Sequence, residues 1–275
     1  MAAGRRPLGR AELLSLLGEH GLRPSRALGQ NFVADPNLIE RIVRLARVKP
    51  GDHVLEIGPG LGSLTIGLAA TGASVTAVEI DRHLMPALEQ VVGPLGVTTV
   101  LADAMTCDWE DVLRAAESWV LVANLPYNIA TPLVLDLLRH VPVVSRMVVM
   151  VQREVGERLA AQPGDDACGA VSVRVAYHAT ATVVGRVPAS VFVPRPKVES
   201  VLVELERKRK APAVPFEAVD ELVRAGFAGR RKMLRRGLAG LVTPDELEAA
   251  GVPPTARAEE LSLDDWCRLA AARGT

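Results

Sequence analysis

From about residue 35 to residue 207 the chain alternates between short apolar runs rich in β-branched residues and longer segments with helical spacing. Strands are predicted over residues 53–57, 74–80, 98–101, 119–123, 146–151, 172–184 and 201–206. Helices are predicted between them over 37–47, 61–70, 82–92, 109–117, 131–139 and 153–161. Parallel strands need a crossover that carries the chain back across the sheet, and a helix is the usual one. The pattern therefore predicts an α/β, Rossmann-like domain with a mostly parallel seven-stranded sheet. Its last two strands lack a helix between them and are expected as an antiparallel edge pair. Residues 207–215 combine a basic run with Pro212 and Pro215 and are read as a linker. Beyond it, helices are expected over 216–241, 244–250 and 262–273, which make a small helical C-terminal domain. The expected organisation is an N-terminal segment covering the cofactor over 1–34, a catalytic domain over 35–207 and a helical domain over 208–275.

Function follows from what stands at the ends of the strands. The first strand of the sheet, Val54-Leu55-Glu56-Ile57, runs into Gly58-Pro59-Gly60-Leu61-Gly62 and then a helix. Glycines there let the backbone turn tightly and come close to a ligand. Their G-x-G-x-G spacing is not the G-x-G-x-x-G of a pyrophosphate-binding dinucleotide site. Glu79 closes the second strand, where a carboxylate can accept from both ribose hydroxyls of an adenosine. Asp103, just past the third, can accept from an adenine amine. An isolated Asp at such a place is often only a helix cap. The ordered set points to S-adenosylmethionine, with Ile80 and Ala104 flanking the two acids, and to a fold of the class I methyltransferase type.

The fourth strand, Val120-Leu121-Val122-Ala123, leads directly into Asn124-Leu125-Pro126-Tyr127, a sequence of the [N/D]-P-P-Y kind used for amine methylation. The lone pair of an adenine amine is delocalised into the ring. An Asn124 side-chain oxygen and a Leu125 carbonyl that accept its two N–H bonds would draw the nitrogen toward sp³ geometry, so the reaction needs orientation and electrostatics rather than a strong base. Pro126 stiffens the turn and Tyr127 offers a ring to the base. Aromatic residues make up only 3% of the chain. Phe192, on a loop with Pro194 and Pro196, is accordingly expected as a second stacking face.

Lys and Arg together number 32, as do Asp and Glu, so the net charge is zero. Nucleic-acid binding depends on local clusters rather than on the sum. Arg195 and Lys197 in the Phe192 loop, and Arg230, Arg231, Lys232 and Arg235 in the C-terminal domain, are the expected RNA contacts. The three cysteines are scattered and form no metal or disulfide pattern, the histidines form no ligand motif, and no apolar run is long enough for a membrane span. No metal, no membrane partner, a cytoplasmic location and a monomer are expected.

Taken together, Leu28-Gly29-Gln30-Asn31-Phe32, the glycine loop, Asn124-Leu125-Pro126-Tyr127-Asn128-Ile129, Gln152-Arg153-Glu154-Val155, Phe192 through Ser200, and Phe227-Ala228-Gly229-Arg230-Arg231-Lys232 resemble the ribosomal RNA adenine N6-dimethyltransferase family, in its bacterial small-subunit 16S type. The resemblance runs from about Arg23 over nearly the whole chain. It implies dimethylation of two adjacent adenosines near the 3′ end of 16S rRNA, late in small-subunit assembly. It also places Gln30, Asn31 and Val33 beside the cofactor, with Glu56, Gly58, Gly60, Glu79, Asp103 and Asn124. The chain departs from the family's habit at Ala27, Asp165, Asp166, Cys168 and Arg236, none of them a methyl-transfer position. The competing readings are a 23S rRNA adenine methyltransferase of the macrolide-resistance type and a non-catalytic assembly factor.

Overall fold

The computed structural model describes residues 6–229 and 232–273. Its strands, in chain order, are β1 Phe32–Val33, β2 His53–Ile57, β3 Ser74–Glu79, β4 Thr98–Leu101, β5 Trp119–Asn124, β6 Val144–Gln152, β7 Ala179–Val187, β8 Phe192–Val193 and β9 Ser200–Arg207. Seven of them form one sheet in the order β4-β3-β2-β5-β6-β9-β7, and β1 pairs with β8 in a separate two-stranded ladder. The pairs from β4 to β6 are parallel, and β9 runs antiparallel to β6. The expected α/β sheet with an antiparallel edge is therefore present. The chain steps outward from β2 to β4, then returns to β5 on the other side of β2. Such a reversal leaves a crevice beyond the carboxyl ends of the central strands.

By their contacts the described residues form two compact units. One runs to Gly156 and resumes over Thr182–Glu206; the other comprises Glu157–Ala181 and the residues from Arg207 onward. The central strands of the first unit are buried on both faces, with Leu55 and Leu121 at 0% exposure. Helix Pro36–Ala46, N-capped by Asp35, presents Leu38, Ile39 and Ile42 to this core.

The second unit is helical. Trp266, Leu222, Leu238 and Leu269 are fully buried in its core. Residues 157–181 cluster with these helices rather than with the sheet, unlike the 35–207 span expected from the sequence. The long strand expected over 172–184 is also replaced. Its first half is helix Ala170–His178, and only the remainder is β7. The β-branched Val171, Val173 and Val175 favour a strand in isolation. Val173 and Tyr177 instead pack against helix Phe216–Ala228, Arg174 donates to Asp220 at 2.6 Å, and the Tyr177 hydroxyl donates to the Val214 carbonyl at 2.8 Å. Tertiary packing outweighs propensity here. The single helix expected over 216–241 is two, Phe216–Ala228 and Leu234–Gly237. Helix Arg10–Glu19 was not anticipated; it packs Leu13, Leu16 and Leu17 against Leu88 and Val91.

Truncating a central-strand side chain leaves a cavity that the sheet cannot close. Leu121→Ala is expected to lower stability by about 2–5 kcal/mol, read as a drop in the denaturation midpoint in urea.

Candidate active site

The crevice at the carboxyl ends of β2, β3, β4 and β5 is lined by all eleven residues expected at the cofactor: Gln30, Asn31, Val33, Glu56, Gly58, Gly60, Glu79, Ile80, Asp103, Ala104 and Asn124. Leu125, Pro126 and Tyr127 line it too. The glycine loop turns through left-handed conformations at Gly58 (φ 72°) and Gly60 (φ 59°). A Cβ on Gly60 would lie 2.7 Å from the Phe32 ring, so both the turn and the close approach require glycine there.

Glu79 binds this loop to the sheet. One carboxylate oxygen accepts the Gly60 N–H at 3.0 Å, and the other accepts those of Ile80 and Asp81, both at 3.0 Å. Burial pushes its pKa up, and the three N–H donors work in the opposite direction. Oε2, with a single N–H donor, keeps acceptor capacity toward a ribose, whereas Oε1 already accepts two. Exposed Asp103 lines the crevice and uses Oδ1 for the Met105 N–H at 2.9 Å. Beside them Ile80 stands 47% exposed and adds an apolar surface to the crevice.

Asn124 ends β5. Its side-chain NH₂ donates to the Asn31 carbonyl at 2.9 Å. Its side-chain oxygen, Oδ1, is buried without a hydrogen-bond partner. The amide is thus turned so that an acceptor, not a donor, is free. The Leu125 N–H donates to the Met150 carbonyl at 3.1 Å, and the Pro126 carbonyl accepts from Ile129 and Ala130 to start helix Ala130–His140. Tyr127 is held through its hydroxyl, 2.8 Å from the Ser200 hydroxyl at the start of β9.

Phe192 corrects the expectation. Its ring is 0% exposed, packed in the core with Val33, Ile39 and Leu202, because β8 pairs with β1 in the register Val33↔Phe192. A ring buried in this way offers no face to a base. The exposed loop begins two residues later, and Arg195 and Lys197 lie on it. In the second unit Lys232 and Arg235 are exposed, whereas Arg230 and Arg231 lie outside the described residues. Residues that sequence reasoning missed include Ser25 and Asp81, which hold the Gln30 side chain, and Ser200, which holds Tyr127. Among the described residues no group of His, Cys, Asp and Glu could hold a metal ion, and no helix is long and apolar enough to cross a membrane.

Strand order, glycine loop and strand-end acids define the fold of a class I methyltransferase. The chain belongs to the Ribosomal RNA adenine dimethylase family, whose model matches residues 22–272. It is 43% identical over 280 residues to the "Ribosomal RNA small subunit methyltransferase A" of Acidothermus cellulolyticus, covering 98% of this chain and 96% of that one. It is 45% identical over 276 residues to the protein of the same name from Cutibacterium acnes, covering 94% and 92%. Among solved structures it resembles a dimethyladenosine transferase from Plasmodium falciparum, with a TM-score of 0.75, 28% identity, and 86% and 94% of the two chains covered. It also resembles the 23S rRNA methyltransferase ErmE, with a TM-score of 0.71, 25% identity, and 89% and 100% covered.

Glu56, on β2, is buried in the crevice wall with Oε2 unpartnered. Burial raises its carboxyl pKa from 4.5 to about 8, and the Glu79 carboxylate adds to the shift. The folded protein then keeps a proton that the unfolded chain releases, so this group's contribution falls as pH rises from about 4.5 through about 8. Glu56→Gln is expected to flatten the fall in stability of the ligand-free protein over that window, as measured by urea unfolding at several pH values. An unchanged pH profile would show that Glu56 ionises normally.

Proposed function

We propose that this protein transfers methyl groups from S-adenosylmethionine to the N6 amines of two adjacent adenosines near the 3′ end of 16S rRNA, two to each, late in assembly of the small ribosomal subunit. The observation that carries the reading is the Asn124 amide at the crevice, held by the Asn31 carbonyl with its own oxygen buried and without a hydrogen-bond partner. A buried acceptor without a partner is costly, and an N–H from the substrate relieves that cost. The names of the two curated relatives favour the small subunit over the 23S alternative, since the identity to them is 43–45% against 25% to ErmE.

The residues fit the cofactor. Glu79 takes the ribose hydroxyls, Asp103 the adenine amine, and the Gly58–Gly60 backbone lies against the remainder. When bound, the cofactor supplies an electrophilic methyl on a sulfonium. In the first transfer to an adenosine, Asn124 Oδ1 accepts one N–H of the target amine and the Leu125 carbonyl accepts the other. In the second, the one remaining N–H is held by one of the two. This frees the nitrogen lone pair and aims it along the crevice. Each transfer ends with loss of an amine proton to solvent. Charge develops on the amine as it is methylated, and two fixed acceptors placed beforehand stabilise it without reorganising. Pro126 and the Tyr127–Ser200 hydrogen bond keep the turn and the aromatic ring in place for a base drawn from its stack. Exposed Arg195, Lys197, Lys232 and Arg235 are assigned to the RNA backbone, with Arg230 and Arg231 beside them in sequence.

The test is methyl transfer from labelled S-adenosylmethionine to small subunits that lack the modification, with nucleosides resolved by chromatography. N6,N6-dimethyladenosine in 16S rRNA is expected. Label in 23S rRNA alone would move the reading to the other family branch. Asn124→Ala is expected to keep cofactor affinity while turnover falls about 100-fold or more, the usual loss when one preorganised polar contact is removed. Unchanged turnover would refute the role given to the amide.

A further inference from the structure

Gln30 lines the crevice, and each end of its side chain already has a partner within the protein. Its oxygen accepts the Ser25 N–H at 2.7 Å and its NH₂ donates to Asp81 Oδ2 at 2.8 Å. Ser25 lies in the same loop. Asp81 lies two residues past Glu79, and its other oxygen accepts the His83 N–H at 3.0 Å. The Gln30 amide therefore fastens the loop over residues 25–31 to the end of β3. On the other side of Asn31, residues Phe32–Val33 are fastened by the ladder to β8. Asn31 is bracketed by two anchors, and its carbonyl is the group that receives the Asn124 NH₂. Gly29, in the same loop, sits against Pro126 and Tyr127, where a Cβ would approach the Tyr127 nitrogen to 3.7 Å.

The two ends of a carboxamide have nearly the same shape, so steric packing does not choose between them; hydrogen bonding does. Were the Asn31 carbonyl displaced, the Asn124 amide would lose the bond that distinguishes its orientations. Turned over, it would meet the substrate amine donor to donor.

We infer that Gln30 is a positioning residue for methyl transfer: by bridging Ser25 to Asp81 it holds the Asn31 carbonyl where it fixes the catalytic face of the Asn124 amide. The inference rests on the amine-methylating reading above. It moves Gln30 from the cofactor contacts expected from the sequence to a role exerted through another residue.

The experiment compares Gln30→Leu in two backgrounds, wild type and Asn124→Asp. It measures single-turnover methyl transfer at saturating S-adenosylmethionine, together with the Kd of the cofactor by calorimetry. Asn124→Asp presents an acceptor to the substrate whichever way it turns and has no donor for the Asn31 carbonyl, so holding that carbonyl in place no longer helps it. Gln30→Leu is expected to slow transfer about tenfold in the wild-type background and much less in the Asn124→Asp background, the non-additivity of residues that act as one unit. An equal loss in both backgrounds, or none in the wild type, overturns the inference. The exchange Gln30→Glu with Asp81→Asn rebuilds the bridge with donor and acceptor reversed. It is expected to transfer faster than Gln30→Glu alone, and failure to do so also counts against the bridge, including where Gln30→Leu proves unfolded. Wild-type protein that binds the cofactor but methylates no adenine amine overturns the functional reading itself, and the inference with it.

Discussion

Three backbone N–H groups, from Gly60, Ile80 and Asp81, converge on the Glu79 carboxylate, and the geometry of the crevice depends on that convergence. The glycine loop leaves β2 held at one end by the Gly58 N–H, which donates to the Val78 carbonyl at 2.9 Å, and at the other by the buried Leu61 side chain. Gly60 between them has no side chain to hold it. A carboxylate at the end of the neighbouring strand provides the anchor there. It fixes the loop at Gly60 and at the same time organises the turn that carries Asp81. Through Asp81 and Gln30 the same point of attachment reaches the N-terminal loop, and through Asn31 it reaches Asn124. The acceptor assigned to the cofactor's ribose and the amide assigned to the substrate amine thus belong to one hydrogen-bonded framework.

Much of this was legible in the sequence because it is local. Alternating strand and helix patterns gave the sheet, and the residues at each strand's carboxyl end gave the crevice, since neighbouring parallel strands bring their ends to one edge. Glu79, Asp103 and Asn124 needed only that rule. What was not legible depends on partners distant in sequence. Phe192 looked like a loop residue because Pro194 and Pro196 follow it, and the loop that begins at Pro194 is indeed largely exposed. Its burial is decided by pairing with Phe32–Val33, a partner that no local signal names. The helix over Ala170–His178 is another such case, since its β-branched residues become helical through contacts with Phe216–Ala228. The two-ended bridge of Gln30 could not be inferred from a motif that marks the residue but not its partners.

Charge gives a similar lesson at a different scale. The chain has no net excess of positive charge, yet Arg195 and Lys197 occupy an exposed loop that starts directly after a buried pair of residues. The buried pair sets where the loop emerges, and the loop in turn sets where positive charge can meet phosphate. On the proposed assignment of these residues to the RNA backbone, placement substitutes for abundance, and attraction of that kind is weakened by salt while the fold stays intact.

The ladder between β1 and β8 has a consequence for how such a chain comes into being. It joins the segment just before the first helix of the sheet domain to one just before its final strand, so it closes a loop containing nearly all the sequence between. Contacts of that separation are formed late, because the entropy of closure must be met before they contribute anything. A chain emerging from a ribosome can assemble β2 through β6, and the Gln30–Asp81 bridge with them, while its N-terminal segment still lacks the β8 partner. The wall carrying Asn31 is then held from one side until the second anchor is made. The full frame around Asn124 arrives with the end of the domain rather than with its core.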